Sequence, residues 1–291
     1  MATPGQWLEG ARPRTLPAAV APVAVGAGLA AHVDAFMLGR SLLALAVAVA
    51  LQVAVNYAND YSDGIKGTDA KRVGPVRLVG QGLAPAAQVK MAAFAAFVVA
   101  AVCGLALVAL TQQWWLLLVG VASIAAAWLY TGGPRPYGYA GLGEVFVFVF
   151  FGIVPVVGTA YVQTLAVSAL DVVASIGVGL LACAILVTNN LRDIPGDTVV
   201  GKTTLAVRLG DHATRLLFTA IVLVALVIPL VMAAMASPLI ALTSVAGLLA
   251  IGPLRTVLGD ASGPDLIPAL KGTGTLLLAY GLAMGLLLAL T

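Results

Sequence analysis

Nine long apolar runs constrain the fold of this chain more than any other feature. Bounded by charged, proline or glycine residues, they lie at about 16–31, 41–58, 90–111, 114–131, 143–162, 170–190, 214–236, 238–257 and 273–290. A transmembrane helix needs about 20 mostly apolar residues to cross roughly 30 Å of hydrocarbon. Because the runs are continuously apolar and do not alternate with a period of two, they predict helices and not the strands of a membrane barrel.

The composition leaves no material for a water-facing domain. Of the 291 residues, 61% are hydrophobic and 9% are charged, whereas soluble domains contain about 25% charged residues. We therefore predict an all-α integral membrane protein with nine transmembrane helices, in which residues 1–291 form a single transmembrane domain. The net charge of +3 is too small to indicate nucleic-acid binding. Gly281 and Gly285 have the spacing of a helix-packing motif, but among 32 glycines it is expected by chance and indicates no oligomer.

The lysine and arginine residues predict the orientation of these helices. With nine spans, Arg40 lies on one side of the membrane, and the remainder of the 15 Lys and Arg residues fall in the N-terminus and the alternate loops of the other side. Cytoplasmic loops are enriched in Lys and Arg. We therefore predict a multi-pass protein of a bacterial cytoplasmic membrane, with the N-terminus in the cytoplasm and the C-terminus outside.

Two polar clusters on the predicted cytoplasmic side resemble each other. One is NYANDYSDGIKGTD at 56–69, and the other is NNLRDIPGDTVVGKTTLAVRLG at 189–210. Each follows an apolar run, and in each an Asn precedes an Asp by four residues, which places both side chains on one helix face. Four helices separate the clusters, which predicts two tandem four-helix halves plus a last helix. The clusters would then face each other across a central cavity.

The clusters have the chemistry of a metal-bound diphosphate site. The candidate metal ligands are Asp60, Asp63, Asp193 and Asp197, with Asp69 as a weaker fifth. Carboxylates crowded at a membrane edge repel one another, and a divalent cation removes that cost. Mg²⁺ typically uses one or two carboxylates together with phosphate oxygens of a substrate. The candidate phosphate-binding cations are Lys66, Arg77, Arg192 and Lys202.

The alternative interpretation is that these charges are solvated loop residues that set the membrane topology. For a single Asp pair beside a helix, that interpretation is the more common one. Two clusters with the same Asn to Asp spacing on one side of the membrane favour a site.

The two clusters resemble those of the UbiA superfamily of intramembrane aromatic prenyltransferases. The family pattern is Asn-Asp-x-x-Asp-x-x-x-Asp after helix 2 and Asp-x-x-x-Asp after helix 6, and here the clusters read NDYSD from Asn59 and DIPGD from Asp193. Gly67 occupies the third acidic position of the first cluster, and Asp69 follows two residues later. The segments RPRTLPAAVAPV (12–23), GPVRLVGQG (74–82) and YTGGPRPYGYAGLGEVFVFVFFG (130–152) are most similar to the 1,4-dihydroxy-2-naphthoate prenyltransferases.

This resemblance implies Mg²⁺-dependent transfer of a polyprenyl group from polyprenyl diphosphate to 1,4-dihydroxy-2-naphthoate. Carbon dioxide and diphosphate would be released, giving demethylmenaquinol in menaquinone (vitamin K2) biosynthesis. Another acceptor, such as 4-hydroxybenzoate, haem or a chlorophyll precursor, is the alternative within the superfamily. A secondary transporter is the alternative from another class, but transporters usually bind substrate near the bilayer midplane on broken helices, and these charges lie at helix ends.

Further candidate residues surround the clusters. Tyr130 is the first candidate to stabilise an allylic cation with its ring, although aromatic residues are also common as interfacial belts. Glu144 either acts on a substrate hydroxyl or simply favours a helix N-terminus. Arg14 and Arg135 are candidates for binding the acceptor carboxylate. The other candidate substrate-binding residues are Asn56, Asn59, Asn189, Asn190, Tyr137 and Tyr139.

Overall fold

Helices form all of the regular structure that is described. The computed structural model describes residues 2–67 and 76–291, and no strand occurs within these ranges. The α-helices are α1 (Pro4–Gly10), α2 (Pro17–His32), α3 (Leu38–Lys66), α4 (Ala86–Thr111), α5 (Leu116–Leu129), α6 (Gly143–Val147), α7 (Val154–Thr164), α8 (Ala169–Val199), α9 (Leu205–Met235), α10 (Ile251–Leu258) and α11 (Ile267–Ala289). A π-helix, Phe148–Ile153, joins α6 to α7, and the 3₁₀ segments are Pro13–Thr15, Tyr137–Ala140, Pro238–Ala250 and Gly263–Leu266.

Seven helical segments of the described chain are long and apolar enough to cross a membrane. They are Leu38–Lys66, Ala86–Thr111, Gly143–Thr164, Ala169–Val199, Leu205–Met235, Pro238–Leu258 and Gly263–Ala289. An eighth such segment results if α2 is joined to Pro4–Thr15, from which it is bent by 49°. The apolar helix α5 has 14 residues, which is about 21 Å at 1.5 Å per residue. The all-α membrane architecture is confirmed, whereas the span predicted at 114–131 is a shorter helix, so length and composition do not establish nine spans.

Two helices continue beyond the apolar runs and carry the polar clusters. The predicted spans end at 58 and 190, but α3 continues to Lys66 and α8 to Val199. Main-chain hydrogen bonds do not require apolar side chains, so polarity does not end a helix. α3 ends at Gly67, whose φ of 70° glycine adopts without a Cβ clash. The acidic and amide side chains therefore have the fixed directions of helical residues.

Small residues allow α2 and α11 to pack closely. A Cβ on Gly28 would lie 2.3 Å from the carbonyl oxygen of Gly285, and a Cβ on Gly281 would lie 2.5 Å from the Cβ of Ala21. The Gly281 to Gly285 motif thus serves a contact inside the chain, as small residues do between membrane helices.

The largest apolar core lies between α2 and the helices of the C-terminal half. Its fully buried members include Val25, Leu181, Phe218 and Leu277. A smaller cluster around Tyr57 packs α1 and the end of α3 against the chain that follows residue 75. This packing fixes the polar end of α3 against α1 and the segment that follows residue 75.

Candidate active site

A cavity of about 910 Å³ extends from the polar ends of α3 and α8 into the apolar interior. Its apolar wall comes from α2, α3, α4, α5, α6, the π-helix, α7, α8 and α11. Thirteen of the residues that the sequence predicted line it, namely Arg14, Asn56, Asn59, Asp63, Arg77, Tyr130, Tyr137, Tyr139, Asn189, Asn190, Arg192, Asp197 and Lys202. The cavity therefore joins a charged end to a long apolar interior.

Asp63 lies at the centre of the charged end. Its side chain is 3% exposed, with Lys202 Nζ 3.5 Å from Oδ1 and Arg77 Nη2 3.8 Å from Oδ2. The Tyr139 hydroxyl donates a short hydrogen bond to Oδ1. Lys202 Nζ also lies 4.4 Å from the centroid of the Tyr139 ring, within the range of a cation–π contact. Residues of both polar clusters thus meet at one carboxylate.

A link between two loops brings Tyr139 and Lys202 to Asp63. The main-chain N–H and the hydroxyl of Thr203 both donate to Tyr139 O, at 2.9 Å each. Arg208 Nη2 donates to Ala140 O at 2.9 Å. These hydrogen bonds join the 3₁₀ turn Tyr137–Ala140 to the segment after α8 and place Tyr139 beside Lys202.

Asp60 supports the chain after residue 75. It is 1% exposed, and its two carboxylate oxygens accept from the main-chain N–H groups of Leu78 at 2.7 Å and Val79 at 3.0 Å. In the described part of the chain it does not line the cavity. Sequence reasoning did not find this anchoring contact, and its predicted metal-binding role remains a prediction.

On α8, Arg192 covers Asp193. The Arg192 guanidinium donates from Nε to Asp193 Oδ1 at 2.7 Å and from Nη2 to Oδ2 at 2.8 Å, and Nη2 also donates to Asn189 Oδ1 at 2.8 Å. Asp193 does not line the cavity within residues 2–67 and 76–291, whereas Asp197 does. The second cluster therefore presents one carboxylate to the cavity and a second to its own arginine.

Glu144 lies behind the wall and holds Asn190. Asn190 Nδ2 donates to Glu144 Oε1 at 3.0 Å, and Glu144 Oε2 is buried with no hydrogen-bond partner among the described residues. Of the two, only Asn190 is among the described residues that line the cavity. The carboxylate thus orients the cavity-facing amide.

Four aromatic rings form one side of the cavity. Tyr137 stacks on Phe146 with ring centroids 3.8 Å apart, and Tyr130 meets Tyr137 edge-on at 5.5 Å. Phe150 continues the row at 6.0 Å from Phe146. Burial raises the pKa of the Tyr137 hydroxyl, and the neighbouring Tyr130 raises it further. The hydroxyl stays protonated and donates to Ala126 O at 2.7 Å.

The remaining predicted residues lie at the edge of the site or beyond it. Lys66 Nζ donates to Thr131 O at 2.7 Å and lies outside the cavity wall that the described residues form. Arg135 is exposed and also lies outside that wall, whereas Arg14 is exposed at the cavity mouth. Asp69 lies outside the described residues.

Several cavity residues were missed by the sequence reasoning. They are Glu9, Arg12, Thr15, Gln52, Thr131, Phe146, Phe150 and Lys271. Gln52 carried a usable signal, because it is the one polar residue in the run 42–55 and buried polar groups in membrane helices need a partner. Spacing along α3 carried another, because Gln52, Asn56, Asn59 and Asp63 recur at intervals of four, three and four residues and so share one helix face.

The oxygen donors at the charged end fit a hard divalent cation. Asp63 and Asp197 supply carboxylates, and Asn59 and Asn189 supply amide groups. The described residues contain no group of three or more His, Cys, Asp or Glu placed to hold a metal. Mg²⁺ usually takes one or two carboxylates and completes its shell with water and phosphate oxygens, and the cavity wall carries two.

A sequence model described as the UbiA prenyltransferase family matches residues 19–265. The chain belongs to this family. The resemblance inferred from the two polar clusters is thereby confirmed, and the chain is a prenyltransferase.

Two bacterial relatives of this UbiA family member share much of its length. A protein of Mycobacterium tuberculosis named 1,4-dihydroxy-2-naphthoate octaprenyltransferase is 51% identical over 284 residues, covering 98% of this chain and 97% of that protein. An Escherichia coli protein of the same name is 44% identical over 218 residues, covering 72% of this chain and 70% of that protein.

Solved structures of distant family members share the fold. A UbiA homologue from Archaeoglobus fulgidus bound to GPP and Mg²⁺ superposes with a TM-score of 0.68 at 17% identity, covering 96% of this chain and 99% of that chain. The apo structure of a UbiA homologue from Aeropyrum pernix has a TM-score of 0.68 at 16% identity, covering 92% and 96%.

Proposed function

We propose that this UbiA prenyltransferase transfers a polyprenyl group from polyprenyl diphosphate to 1,4-dihydroxy-2-naphthoate. The products are carbon dioxide, diphosphate and demethylmenaquinol, an intermediate of menaquinone synthesis. One observation carries the proposal: a single cavity joins a charged end to a long apolar interior, as an anionic diphosphate with an apolar tail requires. The choice of acceptor is supported by relatives that match nearly the full chain and are named for this naphthoate.

We also propose the membrane arrangement predicted from the sequence. The chain crosses a bacterial cytoplasmic membrane nine times as two tandem four-helix halves plus a last helix, with α5 as a short span. The N-terminus is cytoplasmic and the C-terminus is outside. The sorting of Lys and Arg into alternate segments supports this arrangement, and it places the charged end of the cavity at the cytoplasmic face.

Asp63 and Asp197 are the residues that would hold Mg²⁺, with Asp60, Asp193 and Asp69 as further candidates from the sequence. When bound, Mg²⁺ stabilises the negative charge that develops on the leaving diphosphate. A solved family member bound to GPP and Mg²⁺ supports metal dependence in the family.

The cationic side chains bind the phosphate charge that remains. Lys202, Arg77 and Arg192 are each less than 10% exposed and line the charged end. Buried cations aimed at a developing negative charge act strongly, because little water screens them. They hold the diphosphate while its bond to the first carbon of the prenyl chain breaks.

The aromatic and apolar walls protect the allylic cation that this cleavage leaves. The rings of Tyr130 and Phe146 offer negative faces that attract a cation without donating a nucleophile. The apolar interior excludes water, which would otherwise capture the cation. The acceptor ring carbon then attacks, and its carboxyl group leaves as carbon dioxide.

The acceptor is bound by polar residues of the cavity mouth and wall. Arg14 lines the cavity and is suited to the acceptor carboxylate, with Arg135 as the other candidate. Glu144 acts through the Asn190 amide that it orients. Asn56 is a further residue for acceptor contact.

Purified full-length protein tests the function directly. With Mg²⁺, a polyprenyl diphosphate and 1,4-dihydroxy-2-naphthoate, we expect prenylated naphthoquinol and one carbon dioxide per turnover. The same reaction with 4-hydroxybenzoate is the control for acceptor identity. Turnover of 4-hydroxybenzoate without turnover of the naphthoate would overturn the proposed acceptor.

A further inference from the structure

Gln52 has a buried oxygen atom on the cavity wall that nothing within the described chain satisfies. The residue is 5% exposed and lines the cavity. Its Nε2 donates to Thr15 Oγ1 at 2.8 Å, while Oε1 is buried with no hydrogen-bond partner among the described residues. A buried carbonyl oxygen without a partner loses its hydration with nothing in exchange. This oxygen is therefore a candidate contact for a bound ligand.

The hydrogen-bond network fixes which atom of the amide is left over. The Thr15 hydroxyl donates to Arg12 O at 2.8 Å and accepts from Gln52 Nε2 and from Asn56 Nδ2, the latter at 3.0 Å. A hydroxyl has one donor proton and two acceptor lone pairs, so these three contacts use the whole hydrogen-bonding capacity of the Thr15 hydroxyl. With the Thr15 proton donated to Arg12 O, rotating the Gln52 amide by half a turn would place Oε1 against an oxygen that has no proton to offer. In this network the unsatisfied atom is the carbonyl oxygen.

A carbonyl oxygen needs a ligand that donates a hydrogen bond. The diphosphate of the donor substrate carries only acceptor oxygens when ionised, and its hydrocarbon tail carries neither donors nor acceptors. The aromatic acceptor carries ring hydroxyl groups. Resting on the function proposed above, we propose that Gln52 Oε1 accepts a hydrogen bond from a ring hydroxyl of the acceptor and so helps to select hydroxylated aromatic substrates.

The position of Gln52 along α3 agrees with this role. Gln52, Asn56 and Asp63 share one helix face and all line the cavity. Gln52 and Asp63 are separated by 11 positions in the sequence, which corresponds to about 16 Å along the helix at 1.5 Å per residue. An acceptor held by Gln52 would lie on the same face of α3 as Asp63, about three helical turns away along the cavity wall.

Three naphthoates test the contact in the full-length protein. We would measure the dissociation constants of 1,4-dihydroxy-2-naphthoate, 1-hydroxy-2-naphthoate and 4-hydroxy-2-naphthoate for the wild type and for Gln52→Met. The variant should bind the dihydroxy compound about tenfold more weakly, as expected for one lost hydrogen bond. Each monohydroxy analogue retains one of the two ring hydroxyls. The affinity of the variant should fall by the same factor for the analogue whose hydroxyl bonds to Gln52, and it should not change for the other analogue. The KM for polyprenyl diphosphate should not change.

Gln163→Met is the matched control. Gln163 is 4% exposed, and its Oε1 accepts from Met37 N at 2.7 Å and Ser41 Oγ at 3.2 Å, so its loss should lower stability and leave all three affinities unchanged. Equal weakening of all three naphthoates in Gln52→Met, no weakening, or selective weakening in the control would each overturn the role of Gln52. Absence of naphthoate turnover by the wild type would instead overturn the proposed function.

Discussion

Replacing Asp63 by Asn tests whether charge holds the polar end of the cavity together. The side chains of Asp63, Arg77 and Lys202 are 3%, 6% and 9% exposed, and the nitrogen atoms lie 3.8 Å and 3.5 Å from the carboxylate oxygens. Removing one partner of a buried ion pair costs about 3–5 kcal/mol. Because both distances are near the outer limit of an ion pair, we expect the free energy of unfolding to fall by about 3 kcal/mol.

Thermal unfolding in detergent measures this loss of stability. Added inorganic diphosphate then tests whether the loss comes from the unpaired positive charges. Asp63→Asn should unfold at a lower temperature than the wild type without ligand. Inorganic diphosphate supplies the negative charge that Lys202 and Arg77 lose in the variant, and a ligand that binds only the folded state stabilises it. Without Mg²⁺, added diphosphate should therefore raise the unfolding temperature of Asp63→Asn more than that of the wild type.

Asp211→Asn is the control for the loss of an acidic side chain. The Asp211 side chain is 57% exposed and pairs with Arg215 at 2.5 Å. The Asp211 carboxylate is largely hydrated, and Arg215 keeps its hydrogen bonds to the carbonyl oxygens of Val257, Gly259 and Ala261. This variant should therefore unfold close to the wild type. If both variants lose the same stability, or if diphosphate raises the wild type and Asp63→Asn equally, the electrostatic explanation is wrong.

Three further changes probe neighbouring contacts. Tyr139→Phe removes the hydroxyl that donates to Asp63, and we expect a loss of about 1 kcal/mol in unfolding free energy and slower steady-state turnover; wild-type values for both would contradict the contact. Asp60→Ala leaves the buried N–H of Leu78 without its acceptor, which costs about 1–3 kcal/mol, and limited proteolysis should cut the chain after residue 75 faster than in the wild type. Chelation of Mg²⁺ should abolish turnover and leave the unfolding temperature of the substrate-free protein unchanged; turnover that persists in chelator would refute the metal assignment.

The helices were predictable because their main determinant is local. Continuous apolar runs mark membrane helices whatever they pack against, and each run has a helical counterpart in the described chain. Helix ends were less predictable. The apolar run ends at Ala58, whereas the helix continues to Lys66 and ends where Gly67 adopts a left-handed conformation.

The site was predictable as a group of residues and not atom by atom. Asp60 and Asp63 are three residues apart in one acidic cluster, and the sequence predicts the same metal-binding role for both. Asp60 faces the chain around Leu78 instead, because that segment returns to α3 and supplies two N–H donors. A contact between Asp60 and main-chain groups 18 and 19 residues further along the chain has no signature in the spacing of either segment.

Helical spacing explains why Asp63 lines the cavity and Asp60 does not. It does not explain why Asp193 on α8 is turned away from the cavity. At about 100° per residue, Asp63 lies roughly 20° from Gln52 around α3 and Asp60 lies roughly 80° away, so periodicity favours Asp63 as the cavity residue. On α8 the same rule places Asp193 about 40° from the cavity residue Asn189, yet Arg192 folds back on Asp193 and covers it. Periodicity fixes the direction of a Cβ, and the neighbouring charge then decides which carboxylate faces the cavity.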